Sequence, residues 1–266
     1  MSDAIAELAS VDGQIGPTAE ATISLKDDGL YRGDGAFEVI RLYAGKPFAL
    51  VDHLDRLQRS TAAIELGFDR GALEAEIEAL LSEAGSVEGQ MRLIVTRGGR
   101  RIAATEPIPP HPASVSLQTV TYCPTVILNG VKSLSYAANM QATRIAKGKG
   151  ADEAVLIRPD GTVLEPPTSS IFWVSAEGKL RTPALSDGVL ESITRDRMVK
   201  ALQVEEGTWD LEDLRGASEA FLASTTREIQ AVAAVDGRSF DAAPGPRTRE
   251  AQDAFAETLG RELREL

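Results

Sequence analysis

The pattern of apolar residues starts over near residue 125, and this limits what the 266-residue chain can fold into more than any other feature. Before that point "AFEVIRLYA" (36–44) and "PFALV" (47–51) flank a Gly-Lys pair and read as a hairpin. "DHLDRLQRSTAAIELGF" then repeats apolar residues at mostly helical spacing up to Gly67, and "GALEAEIEALLSEAG" is an amphipathic helix closed by Gly85. "QMRLIVTRGG" and "ASVSLQTVTY" read as strands on either side of the proline-rich "EPIPPHP". After the restart come a strand over 126–132, a helix over about 134–148, strands "EAVLIR" and "SSIFWVS", a hairpin turn "AEGK" and a helix "SITRDRMVKAL". Strand-like "EAFLAS" and "IQAVAAV" and a terminal helix from about 247 complete the series. Strands and helices mixed twice over predict an α/β (α+β) chain of two domains, divided as 1–120 and 121–266.

Composition narrows the function classes. A single cysteine, Cys123, allows neither an intrachain disulfide nor a CxxC metal or redox pair, and two histidines leave little scope for a histidine metal cluster. Forty acidic against 28 basic residues give a net charge of −12, which disfavours a general binder of nucleic acid or anionic membrane. No apolar run approaches the roughly 20 residues that span a bilayer. The N-terminal "MSDAIAELASVDGQIG" lacks the basic start and apolar centre of a signal peptide, so a cytoplasmic location is expected.

One lysine of seven has an unusual address. The other six occur in charged or turn-like stretches, whereas Lys132 follows Val126, Ile127, Leu128 and Val131 in "VILNGVKSLSY". Read alone, it is either a lysine whose stem packs along a strand end while the ammonium reaches water, or a desolvated amine poised to form a Schiff base. The second reading needs an acid to partner a pyridine nitrogen and a cup for a phosphate. Glu165 in "GTVLEPPTSSIFWV" is the candidate acid, or an ordinary exposed glutamate. Ile193 and Thr194 begin a helix in "ESITRDRMVKAL", where free amides favour an anion, although Ser192 could simply cap it. "LASTTREI" adds Ser224, Thr225 and Thr226, and Arg56 in "DHLDRLQ" could supply a countercharge or a surface ion pair.

Taken in order, these blocks resemble the class IV aminotransferases, the fold-type IV enzymes of pyridoxal phosphate. The resemblance covers about residues 24–236 through "GDGAFEVIRLYAGKPF", "HLDRL", "VTRG", "VKSLSY", "GADEAVLIRPDGTVLE", "SSIFWV", "SITRD" and "STTREI". It implies a small N-terminal α/β domain, a larger C-terminal pseudo-barrel α/β domain carrying the lysine, and a homodimer. It also implies Lys132 as Schiff-base lysine and proton shuttle, and Glu165 as partner of the pyridine nitrogen. Arg56, Ile193, Thr194 and Thr225 would hold the phosphate, and Tyr136 the cofactor's phenolic oxygen. The activity implied is ping-pong transfer of an amino group from a small-molecule donor to a 2-oxo acid.

Substrate choice is less sharply marked. "EPPTSSIF" replaces a run of small residues after the acid by Pro166 and Pro167, and "LESITR" places Glu191 beside the phosphate residues. Arg92 matches an arginine near the substrate carboxylate in branched-chain enzymes. The loop "GGRRIAATEP" offers Arg100 and Arg101 where D-amino-acid enzymes hold a carboxylate trap, but without its histidine. Phe37 stands where some D-specific members have tyrosine, and Thr226 is a further substrate candidate. Donors implied by the resemblance are D-amino acids, branched-chain L-amino acids or R-amines. The alternative is aminodeoxychorismate lyase, which eliminates pyruvate to leave 4-aminobenzoate.

Overall fold

The computed structural model describes residues 5–86 and 88–265 and divides into two compact units. The first holds the chain up to Pro109, the segment Val131–Tyr136 and the residues from Glu262. Its elements are β1 (Leu8–Val11), β2 (Gln14–Pro17), α1 (Asp28–Arg32), β3 (Gly35–Tyr43), β4 (Lys46–Pro47), α2 (Leu50–Ala63), α3 (Arg70–Ala84), β5 (Gly89–Thr96) and β6 (Arg101–Glu106). Among the described residues the six strands form one antiparallel sheet in the order β2-β1-β6-β5-β3-β4. Alternation places Ala36, Ile40 and Leu42 of β3 with Met91, Leu93 and Val95 of β5 in one apolar core. Leu54 and Leu57 of α2 and Leu73, Ile77 and Leu80 of α3 close that core from the helix side. The α3 helix starts where the Asp69 carboxylate accepts from the Ala72 amide and ends at Gly85 in a positive-φ conformation.

The second unit comprises Pro110–Gly130 and Ala137–Arg261. It contains β7 (Ser114–Thr121), α4 (Ala137–Gly148), β8 (Glu153–Ile157), β9 (Ser170–Val174), β10 (Leu180–Pro183), α5 (Ile193–Ala201), β11 (Val204–Gly207), α6 (Leu211–Arg215), β12 (Glu219–Ser224), β13 (Glu228–Val235), β14 (Arg238–Ser239) and α7 (Pro246–Glu265). Its sheet runs β11-β10-β9-β12-β13-β7-β8, with β14 paired to β13. The pairs β10·β11, β13·β7 and β7·β8 are parallel. All five residues of β8 and of β9 are buried, as in strands covered on both faces. Val155 and Ile157 enter one cluster with Trp173 and Leu222, while Ala154 and Leu156 meet Ala142 and Ala146 of α4 on the other side.

Four expectations change. The stretch 126–132 is not a strand. Val126–Leu128 form a 3-10 turn in which Val126 and Ile127 are 77% and 85% exposed, because Asn129 and Gly130, the latter at φ 75°, turn the chain before it can pair. The run "RIAATE", read as loop, is β6, and of "PFALV" only Pro47 lies in a strand, the two-residue β4, before Leu50 starts α2. The division at residue 120 differs from the contact division. β7 pairs with β13 and β8 and so belongs with the second unit, whereas Val131–Tyr136 return to the first.

Candidate active site

In the first unit Lys132 lies beside the start of β3. Its carbonyl accepts from the Phe37 amide at 3.0 Å, Ser133 bridges Ala36, and the Leu134 amide donates to the Gly35 carbonyl at 2.9 Å. From the other side the Lys132 amide donates to the Ser60 hydroxyl of α2 at 3.1 Å. The backbone of the lysine is therefore held between a strand and a helix. Its Nζ sits 4.4 Å from the centroid of the Phe37 ring and 5.8 Å from that of Tyr136, and these rings meet edge to face at 5.2 Å. The apolar surroundings that the sequence suggested for this amine thus come from two aromatic rings and not from Val126 and Ile127.

Arg56 is not on an exposed face. It is buried on α2, one helical turn before Ser60, and its Nε and Nη2 donate to the two oxygens of Glu38 at 2.8 and 2.7 Å. Glu38 alternates with Ala36 and Ile40 along β3 and so points to the helix side. His53, one turn earlier on α2, completes the group with Nδ1 2.8 Å from Glu38 Oε2. Burial raises the Glu38 pKa, but the charge and hydrogen bonds of Arg56, then of His53, overcome it and hold the group at about 2. For His53 burial lowers the pKa below its ordinary value, Glu38 opposing, so the imidazole is held neutral. Its Nε2 is buried with no hydrogen-bond partner among the described residues.

The other arginines fall elsewhere on this sheet. Arg92, Ile94 and Gln90 share a face of β5, and their strand partners place Phe37, Val39, Ile102 and Glu106 on it. Arg92 there holds Glu106 with Nε and Nη2 at 2.7 and 2.9 Å. Arg101 pairs with the core residue Val95, points to the opposite face from Phe37 and donates to Glu76 of α3 at 2.7 Å. Arg100 is bound to Asp12. Each arginine nominated for a substrate carboxylate already has a carboxylate of the protein.

In the second unit Glu165 follows a short bridged segment in which Val163 pairs with Ile157. Its Oε1 accepts from the Leu190 amide at 2.7 Å, which ties the acid to the chain leading into α5. Ile193 and Thr194, both buried, open that helix, and the Ser192 hydroxyl accepts from the Arg195 amide. The first amides of α5 have no acceptor within the helix. Thr225, Thr226 and Arg227 form the turn between β12 and β13, closed by the pair Ser224 and Glu228. Pairing of Ser170 with Ala223 brings this turn beside the segment after Glu165. Glu191, the departure noted beside the phosphate residues, is exposed.

These residues suit an anionic aromatic cofactor. Three buried hydroxyls near the turn, Ser169, Ser170 and Ser224, have no partner among the described residues, and α5, whose N-terminus presents free amides, packs against β12. Both features match a phosphate that accepts several hydrogen bonds. Sequence patterns did not single out Glu38, His53, Ser60 or Arg227. The signal for Glu38 was present: it occupies a core-facing place in the alternation of "AFEVI".

Among the described residues no helix is long and apolar enough to cross a membrane. A mixed α/β chain in two units has the fold class of the fold-type IV transaminases. Residues 35–235 match the model of the family described as amino-transferase class IV. The chain is 31% identical to a D-alanine aminotransferase of Bacillus licheniformis, over 93% of this chain and 95% of that one. It is 33% identical to a putative branched-chain-amino-acid aminotransferase of Methanocaldococcus jannaschii, over 86% and 88%. Among solved structures, a branched-chain amino acid aminotransferase of Thermobaculum terrenum, an M4 mutant, superposes with a TM-score of 0.82 at 29% identity, covering 98% of this chain and 95% of that one. The chain belongs to the class IV aminotransferases. It is an enzyme, and its cofactor is the family's pyridoxal phosphate.

Proposed function

We propose that the protein is a ping-pong transaminase that takes an amino group from an amino acid with an uncharged aliphatic side chain and passes it to a 2-oxo acid. The observation that carries this reading is the seat of Lys132: a primary amine fixed by its own backbone and flanked by the Phe37 and Tyr136 rings. Pyridoxal phosphate supplies an aldehyde that condenses with amines and a ring that takes up the electrons of a bond broken at the substrate's α-carbon. Lys132 Nζ holds the cofactor and, once released, takes the α proton and returns it to complete the transfer. The Phe37 and Tyr136 rings border the amine at 4.4 and 5.8 Å and fix where it stands.

Glu165, oriented by the Leu190 amide, keeps a proton on the ring nitrogen, and Tyr136 donates to the phenolic oxygen. The Ile193 and Thr194 amides, the Thr194 and Thr225 hydroxyls and the Arg56 guanidinium hold the phosphate. The sheet face that carries Phe37 also carries Val39, Ile94 and Ile102, which suits an aliphatic substrate side chain. On it Arg92 is the candidate for the substrate carboxylate, which would have to share the guanidinium with Glu106, and Thr226 would contact the same end of the substrate. We take the working form to be a homodimer, as the family resemblance implies, and its location to be the cytoplasm.

The test is a half-reaction without acceptor. D-alanine, L-leucine, an R-amine and aminodeoxychorismate are each mixed with the holoenzyme, and carbonyl product is counted per chain. One equivalent from an aliphatic amino acid, and none with Lys132→Ala, is expected. Repeated turnover of aminodeoxychorismate to pyruvate without any acceptor would replace this reading by the lyase.

A further inference from the structure

In the second unit the segment after Glu165 and the turn carrying Thr225 are joined by one closed set of hydrogen bonds. Arg227 directly follows the two threonines. Its Nη1 donates to Glu153 Oε2 at 2.7 Å and to Gln230 Oε1 at 3.1 Å, and its Nη2 donates to Thr168 Oγ1 at 3.0 Å. The Thr168 hydroxyl in turn donates to Glu153 Oε1 at 3.1 Å. Gln230 is fixed at its other end, with Nε2 donating to the Pro112 carbonyl at 2.6 Å. The Arg227 and Glu153 side chains are each 10% exposed, so the pair is largely withdrawn from water and each charge depends on the other.

The two ends of this set are rigidly coupled to residues of the proposed cofactor site. Thr168 is three places after Glu165, and the two residues between are Pro166 and Pro167, both buried, whose rings fix the backbone. The Asn139 side chain pins the same link by donating to the Pro167 carbonyl at 3.2 Å. On the other side Thr225 and Arg227 share a three-residue turn closed by Ser224 and Glu228, with Glu228 at φ 55°. A shift of Arg227 therefore moves Thr225, and a shift of Thr168 moves Glu165.

We propose that Arg227 is a positioning residue for the cofactor: through Glu153 and Thr168 it sets the separation between the acid for the ring nitrogen and the hydroxyl for the phosphate. The proposal rests on the roles given above to Glu165 and Thr225. It predicts a specific defect. A ligand held at both points loses more than one held at the ring alone when the separation is relaxed.

Cofactor-stripped wild-type protein, Arg227→Met, Arg227→Lys and Thr168→Val are titrated by equilibrium dialysis with pyridoxal phosphate and, in parallel, with pyridoxal. Thermal midpoints are taken without ligand. Arg227→Met is expected to weaken pyridoxal phosphate by roughly tenfold or more and pyridoxal much less, so that the ratio of the two affinities falls. Thr168→Val, which keeps the ion pair, should lower the ratio about two- to fivefold, and Arg227→Lys should fall between wild type and Arg227→Met. Lowered midpoints with an unchanged ratio would mean a purely structural role and overturn the proposal. If Arg227→Met does not fold, Thr168→Val decides by the same ratio. Failure of the wild type to bind pyridoxal phosphate would instead sink the cofactor reading itself, and the positioning role with it.

Discussion

At the scale of single residues, the most consequential group is one of which the sequence motifs announced Arg56 alone. Glu38, His53 and Arg56 form a buried cluster in which one negative and one positive charge compensate each other and the imidazole stays neutral. Its pH dependence has a definite sign. Glu38 has a folded pKa of about 2 against an ordinary 4.5, so its contribution is present above pH 4.5 and is lost as pH falls toward 2. At about 1.4 kcal/mol per pH unit this is on the order of 3 kcal/mol. His53 acts in the same direction from a higher starting point: below pH 6.5 the unfolded chain takes up its proton while the folded state resists it. Denaturant unfolding at pH 7, 5.5 and 4 should show falling stability, with the decline from pH 7 to 5.5 absent in His53→Gln. Glu38→Gln should cost about 3–5 kcal/mol at pH 7 by leaving Arg56 uncompensated, and should flatten the profile below 4.5. Stability that holds constant from pH 7 to 4 in the wild type would contradict this account. Lys132 teaches the complementary lesson. Its odd position among apolar residues was legible, but the residues that give it an apolar setting are Phe37 and Tyr136.

At the scale of elements, the segment carrying Lys132 is held by pairing with β3 and by Ser60 of α2, not by a helix or strand of its own. Gly35 is what allows this close pairing. A Cβ there would lie 2.4 Å from the Val95 carbonyl oxygen and 2.7 Å from Leu134 Cδ1, so the lysine segment would have to move off the strand. Gly35→Ala should therefore lower the thermal midpoint and reduce the yield of the Lys132-dependent half-reaction by about tenfold or more. An unchanged half-reaction would show that the pairing does not set the position of the amine. Elements such as α3 and β13 were legible for different reasons: the buried residues of α3 recur at helical spacing on one face, whereas β13 is a short, mostly apolar run with four successive buried residues. The strand assigned to 126–132 was misread because three adjacent apolar residues carry no period, and a turn can expose them as readily as a strand can bury them. β6 was overlooked for the converse reason: two arginines and a glutamate mask a strand whose central alanines are buried between neighbours.

At the scale of the molecule, the chain passes from one unit to the other more than once: Val131–Tyr136 returns to the first unit between two stretches of the second. Those six residues include Lys132 and Tyr136, which therefore belong to the first unit, whereas Glu165 belongs to the second. The expected homodimer is checked by multi-angle light scattering on the holoenzyme, where twice the chain mass is expected and the single-chain mass would refute it. By itself the sequence determined the mixed α/β class, the family order of its blocks and the chemical types in them, because periodicity and motif spacing are properties of the local chain. Only the tertiary structure decided that Arg56 is buried against Glu38 and His53, that Arg101 faces away from Phe37, and that Arg227 joins the Glu165 segment to the Thr225 turn. Those facts depend on which strand lies beside which and on the face each residue takes, and contacts across dozens of residues leave no period in the sequence to read.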